Sequence, residues 1–141
     1  MMLLKRIFLL VTILFLANRC QAQLSLPLFD SRFNMLVYEH VDKMPLFPGG
    51  DMALAKFLSK IRYPKEQLDY HGKLHLSFIV DAEGNVLDKC IHNKKAADYT
   101  LLDKEGIMLL NRMPKWIPGQ LNGKNVAVRV LIPMKICLQV D

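Results

Sequence analysis

Cysteine and histidine are the most reactive side chains in this 141-residue sequence, and their spacing decides whether they can act together. Cys90 and His92 stand two apart. In an extended strand that spacing puts thiol and imidazole on one face, where an imidazole could activate a sulfur nucleophile. No third group to orient the ring and no oxyanion-binding loop accompanies them, so the preferred reading is two strand side chains that happen to be neighbours. His71 and His75 have the i, i+4 spacing of a helical zinc pair, but Gly72 and an alternating pattern take them off any helix. Asp81, Glu83 and Asp88 flank a turn without the ligand alternation and terminal Glu of a calcium loop. Gly49-Gly50 and Gly84 do not form a phosphate cradle. Trp116 reads as a core aromatic closing a helix end rather than as a ligand platform. These residues point away from catalysis, and we assign no catalytic residue, no metal and no cofactor.

The elements that would position such residues begin after an N-terminal leader. Lys5 and Arg6 precede an apolar run, and Cys20-Gln21-Ala22 ends in the small-x-small pattern of a signal-peptidase site. The uncharged stretch between Arg6 and Arg19 is 12 residues, short of the roughly 17–25 that span a bilayer. Residues 1–22 are therefore expected to be a signal peptide, with a retained membrane anchor as the alternative, and the protein is expected in the periplasm. Cleavage would remove Lys5, Arg6 and Arg19 and lower the formal charge from +6 to +3. The remaining cations form no tract interleaved with aromatics, so nucleic acid is not an expected partner. Cys90 and Cys137 would be the surviving cysteines.

Residues 23–40 read as a lead-in, without pattern over 24–34 and with a short strand expected over 35–41 at its end, and residues 41–141 as one domain. Asp51 stands at a natural helix N-cap. Leu54, Phe57, Leu58 and Ile61 then make one apolar helical stripe, which Tyr63-Pro64 breaks. Pro64 can open a further turn that Gly72 closes. Leu74, Leu76, Phe78 and Val80 alternate with Lys73, His75, Ser77 and Ile79, and Asp81-Ala82-Glu83-Gly84-Asn85 turns the chain into a second strand over 86–91. Thr100 and Asp103 have capping-box spacing ahead of a helix whose buried face holds Leu102, Gly106, Leu109 and Met113. Residues 118–124 read as a loop. The last strand is the longest, with Val126, Val128, Val130, Ile132, Met134, Ile136 and Leu138 alternating with Ala127, Arg129, Leu131, Pro133, Lys135 and Cys137.

A hairpin followed by a right-handed helical crossover gives sheet order 2-1-3. The expected fold is α+β: a three-stranded antiparallel sheet with two helices on one face and the other face partly open. Pro133 cannot donate a ladder hydrogen bond, which places the last strand at a sheet edge. Such an edge can accept an extended peptide by strand addition, or can simply be protected. In this order the strands of Cys90 and Cys137 flank a third, roughly 9–10 Å apart, beyond disulfide range.

From residue 41 to 138 the sequence also resembles the C-terminal domain of TonB, the energy transducer of Gram-negative bacteria, in its Bacteroidetes form. The resemblance rests on Met44-Pro45, Phe47-Pro48-Gly49-Gly50-Asp51, Tyr63-Pro64, Gly72, Phe78-Ile79-Val80-Asp81 and Glu83-Gly84. It continues with Met113-Pro114-Lys115-Trp116, Pro118-Gly119, Asn122-Gly123-Lys124 and Leu131-Ile132-Pro133. It implies a non-enzymatic periplasmic module that pairs the TonB box of an outer-membrane receptor plug with its last strand. Val126, Ala127, Val128, Arg129, Val130, Leu131, Ile132 and Met134 would be the docking residues, and Tyr63 and Pro64 would lie near the plug. It further implies a motor of the ExbB and ExbD type, and homodimerisation stays open. The leader holds Thr12 but no His, and residues 24–40 form no Pro-rich spacer, reaching only about 60 Å when extended. Direct energy transduction is therefore not expected, and an accessory TonB-like domain fits better. A short anchored transducer and a module binding cell wall or a periplasmic complex are the alternatives.

Overall fold

The computed structural model describes residues 26–65 and 71–137. The expected leader, and most of the turn expected after Pro64, lie outside the described residues. Among the described residues six strands and two α-helices follow in the order β1 (Leu28–Asp30), β2 (Met35–Tyr38), α1 (Gly50–Leu58), β3 (His71–Val80), β4 (Val86–Ile91), α2 (Leu101–Asn111), β5 (Gly119–Leu121) and β6 (Lys124–Cys137). A 3-10 turn, Ala96–Asp98, precedes α2. Among the described residues no helix is long and apolar enough to cross a membrane.

The antiparallel triplet β4-β3-β6 stands in the expected order. The expectation of only three strands is corrected: the sheet runs β1-β2-β6-β3-β4 with β5 also beside β6, and β2 pairs with β6 in parallel. Separate segments supply the additional strands. The residues read as unpatterned contribute β1, the short strand expected from Met35 is β2 and joins the sheet, and the segment read as a loop contributes β5. Asn122 and Gly123 both take positive φ, 51° and 76°, and turn β5 tightly into β6. Asn-Gly is the strongest short signal for such a hairpin.

The core lies where alternation directs it. Leu74, Leu76, Phe78 and Val80 of β3, with Val130 and Ile136 of β6, face Leu102, Leu109 and Leu110 of α2. Leu54, Phe57 and Leu58 of α1 pack on the same cluster. Phe47 and Trp116 close it, with edge-to-face ring contacts at 5.5 Å between them and 5.2 Å from Trp116 to Phe78. Gly106 is accounted for by contact: a Cβ there would lie 3.0 Å from Leu76 Cδ2 and 3.1 Å from Leu74 Cδ2.

Local chemistry accounts for the helix starts. Thr100 and Asp103 form the expected capping box. Asp51, however, is not the N-cap of α1; Gly49 is, with φ 87°, and Asp51 lies in the first turn, where its charge suits the helix dipole. Gly72 does not close a turn but pairs with Ile136 inside the sheet. Gly84 turns the β3–β4 hairpin at φ 84°. Cys90 is free; the register puts it opposite Ser77, whereas Cys137 is opposite His71, about 20 Å further along β3 at the usual strand rise.

Candidate functional site

The sheet face away from the helices is only partly covered. At one end Val37 of β2 seals Ile79 and Ala127, helped by Phe33, Met35 and Leu87. Beyond that seal lies an open groove of about 660 Å³, whose lining includes Ser77, Cys90, Arg129 and Leu131 from the sheet and Glu39, His40 and Met44 from the chain following β2. Cys90 and His92 both line it, as their spacing predicts. Among the described residues no cluster of three or more His, Cys, Asp or Glu side chains is arranged to hold a metal ion.

A chain of ion pairs runs from the β1–β2 turn onto this face. Arg32 bonds Asp30 at 2.7 Å and Asp88 at 2.8 Å, and Arg129 holds the other oxygen of Asp88 at 2.7 Å. Burial pushes the Asp88 carboxyl up, but the hydrogen bonds from Arg32 and Arg129 outweigh it and hold the group below its ordinary range. Hydrogen bonding to Arg32 likewise lowers Asp30 and keeps Arg32 protonated.

The register of β6 decides which main-chain groups are available to a partner. His75 lies opposite Pro133, and its carbonyl accepts from His92 N–H at 2.9 Å on the β4 side. In an antiparallel ladder a residue directs N–H and C=O to the same side. His75 therefore faces β4, and Pro133 faces away from β3. The β3–β6 register is unbroken from His71↔Cys137 to Val80↔Val128, so Arg129, Leu131 and Lys135 also present their main-chain groups to that outer border. Side chains alternate accordingly: Val130 is buried and Ile132 and Met134 are half-buried towards the core, whereas Leu131, Pro133 and Lys135 are exposed on the opposite face.

Reading the whole of β6 as an edge strand needs correction. Ala127 pairs with Val37 of β2, Val126 with Gly119 of β5, and Val128 with Val80 of β3. Among the described residues, no strand pairs with the outer side of β6 beyond Val128. The strand is thus interior over its first third, with the Arg129 N–H still directed to Tyr38 of β2, and an edge beyond that group. Pro133 lies in the edge portion, facing outward, where its missing donor costs the sheet nothing.

Of the residues singled out from the sequence, Arg129 and Leu131 lie on the open border, while Val126, Ala127 and Val128 are engaged by the chain itself. Val130, Ile132 and Met134 direct their main-chain groups to β3. Tyr63 and Pro64 are elsewhere, in a cleft of about 410 Å³ shared with Arg62, Leu101, Lys104, Glu105 and Met108, to which β6 contributes nothing. Sequence reasoning missed Val37, Arg32 and Asp88, which hold β2 against β6. Their partners are distant in sequence, and only the short strand expected from Met35 hinted at them.

The family model of the Gram-negative bacterial TonB protein C-terminal matches residues 59–135. The solution structure of the Helicobacter pylori TonB C-terminal domain aligns at 23% identity with a TM-score of 0.44, covering 62% of this chain and 78% of that one. No curated protein matches.

Proposed function

Because the chain belongs to the Gram-negative bacterial TonB protein C-terminal family, we propose that it is a non-enzymatic binding domain of the bacterial envelope that grips an extended segment of an outer-membrane receptor plug by strand addition to β6. The observation that carries this reading is the outer border over residues 129–135, beside which no strand pairs beyond Val128 among the described residues. It offers the N–H groups of Leu131 and Lys135 and the carbonyls of the outward residues, Pro133 included; the Arg129 N–H is directed to the Tyr38 carbonyl by the parallel β2–β6 register. Each main-chain bond contributes about 0.5–1.5 kcal/mol net, so a short visiting strand binds reversibly. The same bonds lie in parallel along the strand and share an applied load. Arg129, Leu131, Pro133 and Lys135 line the face that alternate side chains of the visitor would meet.

In this reading the Tyr63–Pro64 cleft is a second contact, reached by a different part of the plug, because it lies apart from the β6 border. The task at the receptor is the same whether the domain acts as a periplasmic accessory or is held by an N-terminal anchor beside an ExbB/ExbD-type motor.

Titration of the ¹⁵N-labelled protein with a synthetic peptide carrying a receptor's TonB box tests the proposal. Amide shifts concentrated at residues 129–135 are expected. Shifts confined to other elements, or none at millimolar peptide, would overturn it.

A further inference from the structure

The β1–β2 hairpin occupies part of the strand that the proposed function assigns to a partner. β2 lies in parallel on β6 through two register pairs, Val37↔Ala127 and Tyr38↔Val128, immediately before the open border begins. Its hold is limited. The apolar seat consists of Val37, Ile79 and Ala127, with Phe33, Met35 and Leu87 around it. The ionic clasp runs through Arg32, whose side chain is 62% exposed, and such pairs add little and weaken with salt. β1, the outermost strand, spans three residues and leaves Leu28 and Phe29 exposed.

We infer that the strand-accepting surface of β6 extends beneath β2, that the β1–β2 hairpin is a displaceable occupant of it, and that the partner segment replacing the hairpin carries aliphatic side chains two residues apart. The inference rests on the reading of β6 as a peptide-binding strand and goes beyond it by naming a larger surface and the pattern it selects. The present occupant displays that pattern. Met35 and Val37 point into the seat while Leu36, between them, is exposed, so the surface recognises positions i and i+2 and ignores i+1. With the hairpin displaced, the outer border would lengthen from residues 129–135 to include Ala127. The added residue brings the buried Ile79–Ala127 surface, which contributes apolar contact that the open part of the border lacks.

Tethered β2 competes at an effective concentration in the millimolar range, so a free segment meets the seat only weakly in the unaltered chain. The probe is a capped peptide with the sequence of residues 33–40, titrated into the full ¹⁵N-labelled chain and into its Val37→Ser variant. We expect the variant to bind about tenfold more tightly, the equilibrium equivalent of unseating one valine, with amide shifts at Ile79, Ala127 and Val128. The same peptide carrying Val37→Ser should lose that binding. Should Val37→Ser not give a cooperative melt, Arg32→Ala replaces it, and a several-fold gain in peptide affinity at low salt is expected. Equal affinity for altered and unaltered chains would overturn the inference. Shifts at Leu131 and Lys135 with Ala127 unmoved would also overturn it, while leaving the peptide-binding border intact. No response anywhere on β6 in any of the proteins would remove both.

Discussion

Replacing Leu131 by proline separates the border from the rest of β6. Leu131 stands opposite Ser77 in the β3–β6 register and directs its N–H outward, so the substitution removes no bond from that ladder. The preceding Val130 is already in a strand, the region that a following proline requires, and Leu131 is 46% exposed. The fold should therefore lose no more than about 1 kcal/mol, or about 4–8 °C in Tm for a domain of this size. Binding should suffer far more. Pro133 already lacks an N–H, so a second proline leaves two successive outward positions without donors, and a carbonyl of the visiting strand faces a methylene. An unsatisfied acceptor costs about 1–3 kcal/mol, which corresponds to a roughly 5- to 150-fold rise in Kd. Calorimetric titration with a TonB-box peptide, paired with a thermal melt, measures both. Leu131→Thr, which keeps the donor and suits a strand, should bind within about threefold of the original, a difference of under 1 kcal/mol. A folded Leu131→Pro protein with unchanged Kd would refute use of this border. A fall in Tm of more than about 10 °C, well beyond the shift that 1 kcal/mol produces, would show that the Leu131 N–H belongs to the β3 ladder.

Three further outcomes follow from the packing and the charges. Gly84→Ala should destabilise by about 3 kcal/mol or more, because its Cβ would lie 2.1 Å from the Trp116 carbonyl oxygen at φ 84°; chemical denaturation measures it. Gly106→Ala should cost about 1 kcal/mol in the same assay despite the gain in helix propensity, because Leu74 and Leu76, which its Cβ would crowd, are buried and cannot yield. Asp103→Ala should cost about 1–2 kcal/mol, since the carboxyl accepts from Thr100 N–H at 2.7 Å and from Lys94. Burial raises the Asp103 pKa, but the bonds from Lys94 and Thr100 outweigh it and leave it below the ordinary value. A carboxyl lowered on folding stabilises above its unfolded pKa, about 3.9, and that stability is lost as pH falls through the folded value. Melts between pH 2 and 6 should therefore show an acid-side loss that is smaller in Asp103→Ala.

What could be read from the sequence was whatever the chain specifies locally. The β3 alternation, the Thr100–Asp103 capping box and the Gly84 turn each lie within a few residues, and the hairpin with its helical crossover then left one order for β4, β3 and β6. The Trp116 anchor was legible because a bulky aromatic beside turn residues has few places to go. Long-range pairing was not legible. Nothing near Val37 announces Ala127 as its partner, and nothing near Arg32 announces Asp88. The Asn122-Gly123 hairpin carried its own signal and was still read as a loop, because β5 is only three residues long. Pro133 was read correctly as an edge residue, but the inference was extended over a 14-residue strand that is interior at one end and an edge at the other. Tyr63 and Pro64 were placed near the receptor plug by resemblance rather than by any spacing, and they line a cleft apart from β6.

Residue-resolved amide hydrogen exchange along β6 tests the open border most directly. In the free protein the Leu131 and Lys135 N–H groups should exchange quickly while those of Val130, Ile132 and Met134, bonded to β3, stay protected; adding a TonB-box peptide should slow Leu131 and Lys135 selectively. Uniform protection across residues 130–135 before any peptide is added, or no slowing at Leu131 and Lys135 at saturating peptide, would contradict the account.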